Sequence, residues 1–264
     1  MKFLLASSSQ YRAELLKKLG IDFTQFSPNI DESSQKNENA RHLSVRLSIL
    51  KALEAAKHFP EQTIIASDQT AEVTTGANSG SQQHSHQPSY ILGKPHIQVN
   101  AIEQLTNLSG NSALFYTGLC LLTPVSNLPS TIQSTLSDLP DLSISTLHKF
   151  LSTLENLVEE DSQNSLKNNE CLITLKLNHE ELTKQYYCQF LVDIYKVTFR
   201  KLNQQSIENY VTKEQPLDCA GSFKSEGLGI ALFESMRGDD PNSLIGLPLI
   251  KLCSCLNKIG YTVV

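Results

Sequence analysis

The stretch Lys2-Phe3-Leu4-Leu5-Ala6-Ser7-Ser8-Ser9-Gln10-Tyr11-Arg12 decides the class of fold. Residues 2–6 read as a short buried strand, and the three serines supply candidate N-caps for a helix expected over about 10–19. Gly20 suits the turn that ends such a helix. A strand that runs through small hydroxyl residues into a helix also brings backbone N–H groups close to where a phosphate can sit. Arg12, in the first turn, offers a forked and permanently charged contact. Taken alone, a plain Ser-capped helix with a surface arginine is the simpler reading.

Outward from this start, strand-like and helix-like patterns alternate, which points to α/β. Residues 21–27 read as a second strand. Leu43, Leu47, Leu50, Leu53 and Ala56 recur at helical spacing across residues 40–57. Residues 63–67 form a short buried-type strand with Asp68 at its end. Further on, the pattern predicts ordered chain over 90–95, a helix over 100–108 closed by Gly110, and strands over 112–122 and 189–200. A helix over 204–211, a Gly-rich loop and strand over 220–233, and a helix entered at Pro248 complete the series. Two stretches differ in character. Residues 74–89, rich in Gly, Ser, Gln and His, read as a surface loop, and His84 and His86 within it do not read as a metal site. Residues 125–185 are rich in Ser, Thr, Asn and Leu, with one amphipathic helix over 147–158 and a strand over 171–177.

The bulk properties narrow the function. Hydrophobic residues make up 40% and charged residues 19% of 264, the composition of a globular chain. A net charge of −5 argues against broad affinity for nucleic acid or anionic membranes, though not against a small basic pocket. No apolar run approaches the roughly 20 residues that span a bilayer. The six cysteines lack Cys-x-x-Cys spacing and read as reduced core thiols rather than zinc ligands. A cytoplasmic, soluble chain with no partner in nucleic acid or membrane is expected.

Several short motifs carry chemistry. Asp31-Glu32 follows Ile30, and adjacent carboxylates in a loop suit a hard divalent cation such as Mg²⁺ or Mn²⁺. Asp68 suits a general base or a metal ligand that helps activate water. In Gly93-Lys94-Pro95, Lys94 offers a compact charge for phosphate. Ala220-Gly221-Ser222-Phe223-Lys224-Ser225-Glu226-Gly227-Leu228-Gly229 reads as a polar loop of the kind that binds ligands, and Gly246-Leu247-Pro248 as a helix start with a packing role.

The order of these motifs resembles the Maf family: Leu-Ala-Ser-Ser-Ser-x-x-Arg, Asp31-Glu32, Lys51-Ala52, Ser67-Asp68-Gln69, Gly93-Lys94-Pro95, Tyr116-Thr117-Gly118, Tyr210-Val211, Ala220-Gly221 and Gly246-Leu247-Pro248. The resemblance covers residues 1–73, 90–124 and 190–264. It implies a single Maf/ITPase-like α/β domain over 1–264, with an elongated, twisted mixed sheet flanked by helices and surface insertions near 74–89 and 125–185. It implies a divalent cation, dimers, and hydrolysis of nucleoside triphosphates between the α and β phosphates. By motif, Asp68 resembles the family's catalytic acid and a metal ligand, with Glu32 the other metal carboxylate. Ser7, Ser8, Arg12, Lys51 and Lys94 resemble its phosphate contacts. Residues 222–230 and Asp240-Pro241-Asn242 resemble the branch that acts on 7-methyl-GTP, where Tyr11, Gln69 and Glu226 fall at specificity positions. That branch more often carries Trp at the place of Tyr11. The competing expectations are hydrolysis of dTTP or UTP, nucleotide binding without turnover in regulating cell division, and a scaffold built on 125–185.

Overall fold

A computed structural model describes residues 1–36, 38–74, 90–139, 141–142, 173–177, 182 and 184–264. The chain opens with strand β1 (Phe3–Ala6), helix α1 (Gln10–Lys17), strand β2 (Phe23–Phe26) and the long helix α2 (Ala40–His58). Strands β3 (Thr63–Thr74) and β4 (Tyr90–Leu92), helix α3 (Gln98–Leu108) and strand β5 (Ser112–Pro124) follow. A short helix α4 (Ser130–Gln133) precedes β6 (Asp141–Leu142), β7 (Ile173–Leu177) and β8 (Tyr186–Phe199). Helix α5 (Gln204–Glu214), strand β9 (Phe233–Arg237) and helices α6 (Pro241–Ile245) and α7 (Leu249–Lys258) complete the fold.

The described strands form one mixed sheet in the order β2-β1-β3-β5-β8-β7-β6, with β4 on β3 and β9 on β8. β1 pairs in parallel with β2 and β3, whereas β3, β5 and β8 run antiparallel to one another. All four residues of β1 are buried, and their alternation divides them between two layers. Leu4 and Ala6 face the layer under α2, beside Ile49 and Ala52. Phe3 and Leu5 face the layer that α1 and α7 cover, beside Leu16, Leu252 and Leu256. Burial on both faces explains why β1 is continuously apolar. A third cluster gathers Phe115, Phe199, Phe223 and Phe233 edge to face at the far end of β5 and β8.

Two expectations are corrected here. β3 does not stop at Ser67; it runs on through Asp68 to Thr74, because β5 pairs with it along Ile64↔Leu122 to Thr74↔Ser112. Its parallel partner β1 pairs only as far as Leu5↔Ile65. The opening at strand ends therefore lies beyond β1, and Asp68 borders it from mid-strand. Pro248 is the N-cap of α7 rather than its first helical residue. The donors there are met by Asp240, whose Oδ2 accepts from Ile250 N at 2.8 Å while its Oδ1 accepts from Asn242 N at 2.8 Å. One side chain thus caps α6 and α7 together, and Asp240→Ala is expected to cost about 2 kcal/mol, the upper end for a lost cap. Chemical denaturation with an unchanged midpoint would remove that role.

The helix expected over 147–158, the loop residues 75–89 and Cys171 lie outside the described residues. Of the 125–185 stretch, Leu128 and Leu136 are buried in the α1–α7 layer, and β7 extends the sheet from Ile173↔Phe190 to Leu177↔Tyr186.

Candidate active site

Helix α2 carries the centre of the site because it is buried on nearly every side. Leu43, Leu47 and Leu53 are buried as their spacing predicts, but so are Ser44, Arg46, Ser48 and Lys51. Its close fit to the sheet depends on Gly118 of β5, where an added Cβ would lie 2.3 Å from Ser44 O. This brings the buried ammonium of Lys51 to 2.5 Å from Asp68 Oδ1 and 2.8 Å from Glu32 Oε1. The two carboxylates singled out by sequence therefore face one space, joined by a single cation. Glu32 is 57% exposed by side chain, whereas Asp68 is buried.

The Glu32 carboxyl is held below its ordinary range. Partial burial acts to raise it, but the hydrogen bond and charge of Lys51, with the charges of Lys94 and Arg12, outweigh that. Those cations come from three other elements: α2, the loop after β4, and α1. Burial lowers the pKa of Arg12, while Asp68 and Glu32 oppose the shift. Arg12 Nη1 donates to Ser7 Oγ at 3.2 Å and its Nε to Gly246 O at 2.8 Å. Ser9 caps α1 by accepting from Arg12 N, and Ser7 Oγ accepts from Ser9 N. Ser7 is buried and Ser8 exposed at the end of β1. Glu32, Asp68, Lys51, Arg12, Ser7 and Lys94 thus belong to one neighbourhood.

The adjacent acids divide their work. Asp31 Oδ1 accepts from Ser33 N at 2.9 Å and shapes the turn; Glu32 alone reaches Lys51. The loop is clamped by Arg46, which sequence reading did not single out. Its guanidinium makes two bonds to Glu38, at 2.6 and 2.7 Å, and one to Ser33 O at 2.9 Å. Both partners are nearly sealed from solvent. Nothing in the spacing of α2 marks a buried arginine, since its pair is made by a loop.

The residues expected at specificity positions, Tyr11, Gln69 and Glu226, come from α1, β3 and the loop before β9. Tyr11 is half-buried, and burial raises its hydroxyl pKa; Lys224 opposes this, while Cys219, Asp218 and Glu226 add to it. Glu226 is exposed on the loop that passes Tyr11. That loop is more ordered than its glycines suggest. It folds into 3-10 turns at Ala220–Ser222 and Leu228–Leu232, and Phe223 anchors it in the aromatic cluster. Gln69, next to Asp68, donates Nε2 to Ser243 O at 2.7 Å and to Leu244 O at 3.1 Å. The motif 246–248 does more than pack. Gly246, with φ of +119°, ends α6 and aims its carbonyl at Arg12.

The donor chemistry fits a hard divalent cation. Glu32 and Asp68 present carboxylates to one space, and their proximity is tolerated because a cation already lies between them. Among the described residues no group of three or more His, Cys, Asp or Glu forms a complete cage. One or two carboxylates, with the rest of the shell from water and phosphate oxygens, is how Mg²⁺ is held at phosphate sites. No described helix is long and apolar enough to cross a membrane.

Comparison with known proteins shows the family. The model of the family described as "Maf-like protein" matches residues 2–160 and 163–259. A 7-methyl-GTP pyrophosphatase of Pseudoalteromonas translucida is 37% identical over 98% of this chain and 93% of its own. Proteins of the same name are similar in Pseudomonas savastanoi pv. phaseolicola, at 39% identity over 98% of this chain and 97% of its own, and in Nitrosococcus oceani, at 35% over 98% and 94%. The matches run nearly end to end, through the same elements that bring Lys51, Asp68 and Glu32 together, and the chain belongs to the Maf family.

Proposed function

We propose that this chain hydrolyses 7-methyl-GTP to 7-methyl-GMP and diphosphate. The observation that carries the reading is the bridge from Lys51 to both Asp68 and Glu32, beside the Ser7–Arg12 phosphate corner. Asp68 accepts a proton from the attacking water. Ser7, Ser8, Arg12, Lys51 and Lys94 orient the triphosphate and offset its charge, including the charge that develops on the departing diphosphate. Glu32 and Asp68 would hold Mg²⁺ or Mn²⁺, which would supply further charge neutralisation and make a bound water more acidic. The enzyme of this reading works in the cytoplasm as a homodimer.

Base selection follows from charge. Methylation at N7 makes guanine cationic, and a cationic ring stacks on Tyr11 while Glu226 attracts it and accepts its N–H groups. Base–aromatic stacking contributes about 1–3 kcal/mol. A panel of 7-methyl-GTP, GTP, dTTP, UTP and CTP tests the reading. Diphosphate release fastest from 7-methyl-GTP is expected; fastest release from dTTP or UTP, or tight binding without turnover, would refute it. Glu226→Gln is expected to reduce the preference for 7-methyl-GTP over GTP by about tenfold, one charge-assisted hydrogen bond. An unchanged ratio would remove Glu226 from base selection.

A further inference from the structure

Three neighbouring strands place a polar row on one face of the sheet. Gln69 of β3 is in register with Thr117 of β5, and Thr117 with Asp193 of β8. All three side chains converge on Ser243 of α6. Thr117 Oγ1 donates to Ser243 O at 2.8 Å, Gln69 Nε2 donates to the same carbonyl at 2.7 Å, and Ser243 Oγ bonds Asp193 Oδ2. Thr117, Asp193 and Ser243 are sealed from solvent, whereas Gln69 is half-buried.

We propose that Thr117, whose Oγ1 accepts from Gln69 Nε2 at 3.0 Å, and Asp193, acting through Ser243, are positioning residues that turn the Gln69 amide so that its oxygen is presented to the nucleotide base. The inference rests on the nucleotide reading of this site. Two backbone carbonyls, Ser243 O and Leu244 O, can be met only by the NH₂ end of Gln69, which leaves Oε1 as the end available to a ligand. An acceptor there selects a base edge that donates N–H, as guanine does at N1 and N2. The same anchor steadies α6, whose terminal Gly246 carbonyl receives Arg12. Burial raises the pKa of Asp193, against the bond from Ser243 and with the help of Asp240. Its Oδ1 has no hydrogen-bond partner among the described residues. The amide oxygen of Asn can still accept from Ser243 Oγ at the place of Oδ2.

The test compares Thr117→Val with Thr117→Ser, and Asp193→Ala with Asp193→Asn. KM and kcat are measured on the nucleoside triphosphate that the wild type turns over best, alongside GTP and UTP. Thr117→Val is expected to raise KM for guanine nucleotides about five- to tenfold, the worth of one lost hydrogen bond, with kcat nearly unchanged. Thr117→Ser, which keeps the hydroxyl, is expected to restore wild-type KM. Asp193→Asn is expected to stay near wild type where Asp193→Ala does not. Wild-type KM and base preference in Thr117→Val, or equal damage from Val and Ser, would overturn the proposal while leaving the nucleotide reading in place. A wild type that turns over no nucleotide would overturn both. The Thr117 pair decides the matter even if Asp193→Ala does not fold.

Discussion

Asp68→Asn is expected to lose about 10²–10⁴-fold in turnover, the usual worth of a general base, while nucleotide affinity stays near that of the wild type. The substitution is close to isosteric, and the amide oxygen can still accept from Lys51 at the place of Oδ1. Glu32 also still pairs with that ammonium, so no buried cation is stranded. What disappears is the group able to take a proton from water, together with one negative charge. Diphosphate release measures the first effect, and calorimetric binding of a non-cleavable triphosphate analogue measures the second. Near-wild-type turnover in this variant would take Asp68 out of the chemistry.

Gly118→Ala is expected to damage stability and activity together. Gly118 is in register with Asp68, and α2 crosses directly over it. An added Cβ would lie 2.3 Å from Ser44 O and 2.6 Å from Ser44 C, both backbone atoms of a helix that cannot yield locally. The helix must move outward, and Lys51 moves with it. Overpacking of this kind is expected to cost about 3 kcal/mol, which lowers the thermal midpoint on the order of 10 °C in a chain of this size. Turnover should fall further than the folded fraction does, because the 2.5 Å contact between Lys51 and Asp68 is set by the depth of α2. A variant with wild-type melting and wild-type turnover would show that the close approach is not required.

What was legible in the sequence, and what was not, follows the range of the interactions involved. β1, the Ser9 cap and the start of α1 depend on neighbours a few residues away, and all were read from the first dozen residues. Asp68 stands out in the sequence as a candidate, but the residue pattern ends its strand too early. The polar run Ser67-Asp68-Gln69-Thr70 looks like the end of an apolar strand, and the partner that extends it, β5, lies about fifty residues away. Arg46 and Glu38 carry no sequence signal for a related reason. A buried ion pair between a helix and a loop leaves the same pattern as two surface residues. The row from Gln69 to Asp193 exists only once three strands are in register. Gly246 reads as packing because a carbonyl that receives Arg12 has no signature in side-chain type. The grouping of Glu32, Lys51, Asp68 and Lys94 came from the order of family motifs, since each short motif on its own also fits an ordinary turn or cap.

The joint carboxylate site is tested most directly by turnover of 7-methyl-GTP against added Mg²⁺ or Mn²⁺, in the wild type and in Glu32→Gln. The wild type should be inactive in chelator and recover as metal is added, and Glu32→Gln should need a much higher metal concentration for the same recovery. Full wild-type turnover in chelator, or identical metal dependence in the two proteins, would contradict a shared site at Glu32 and Asp68.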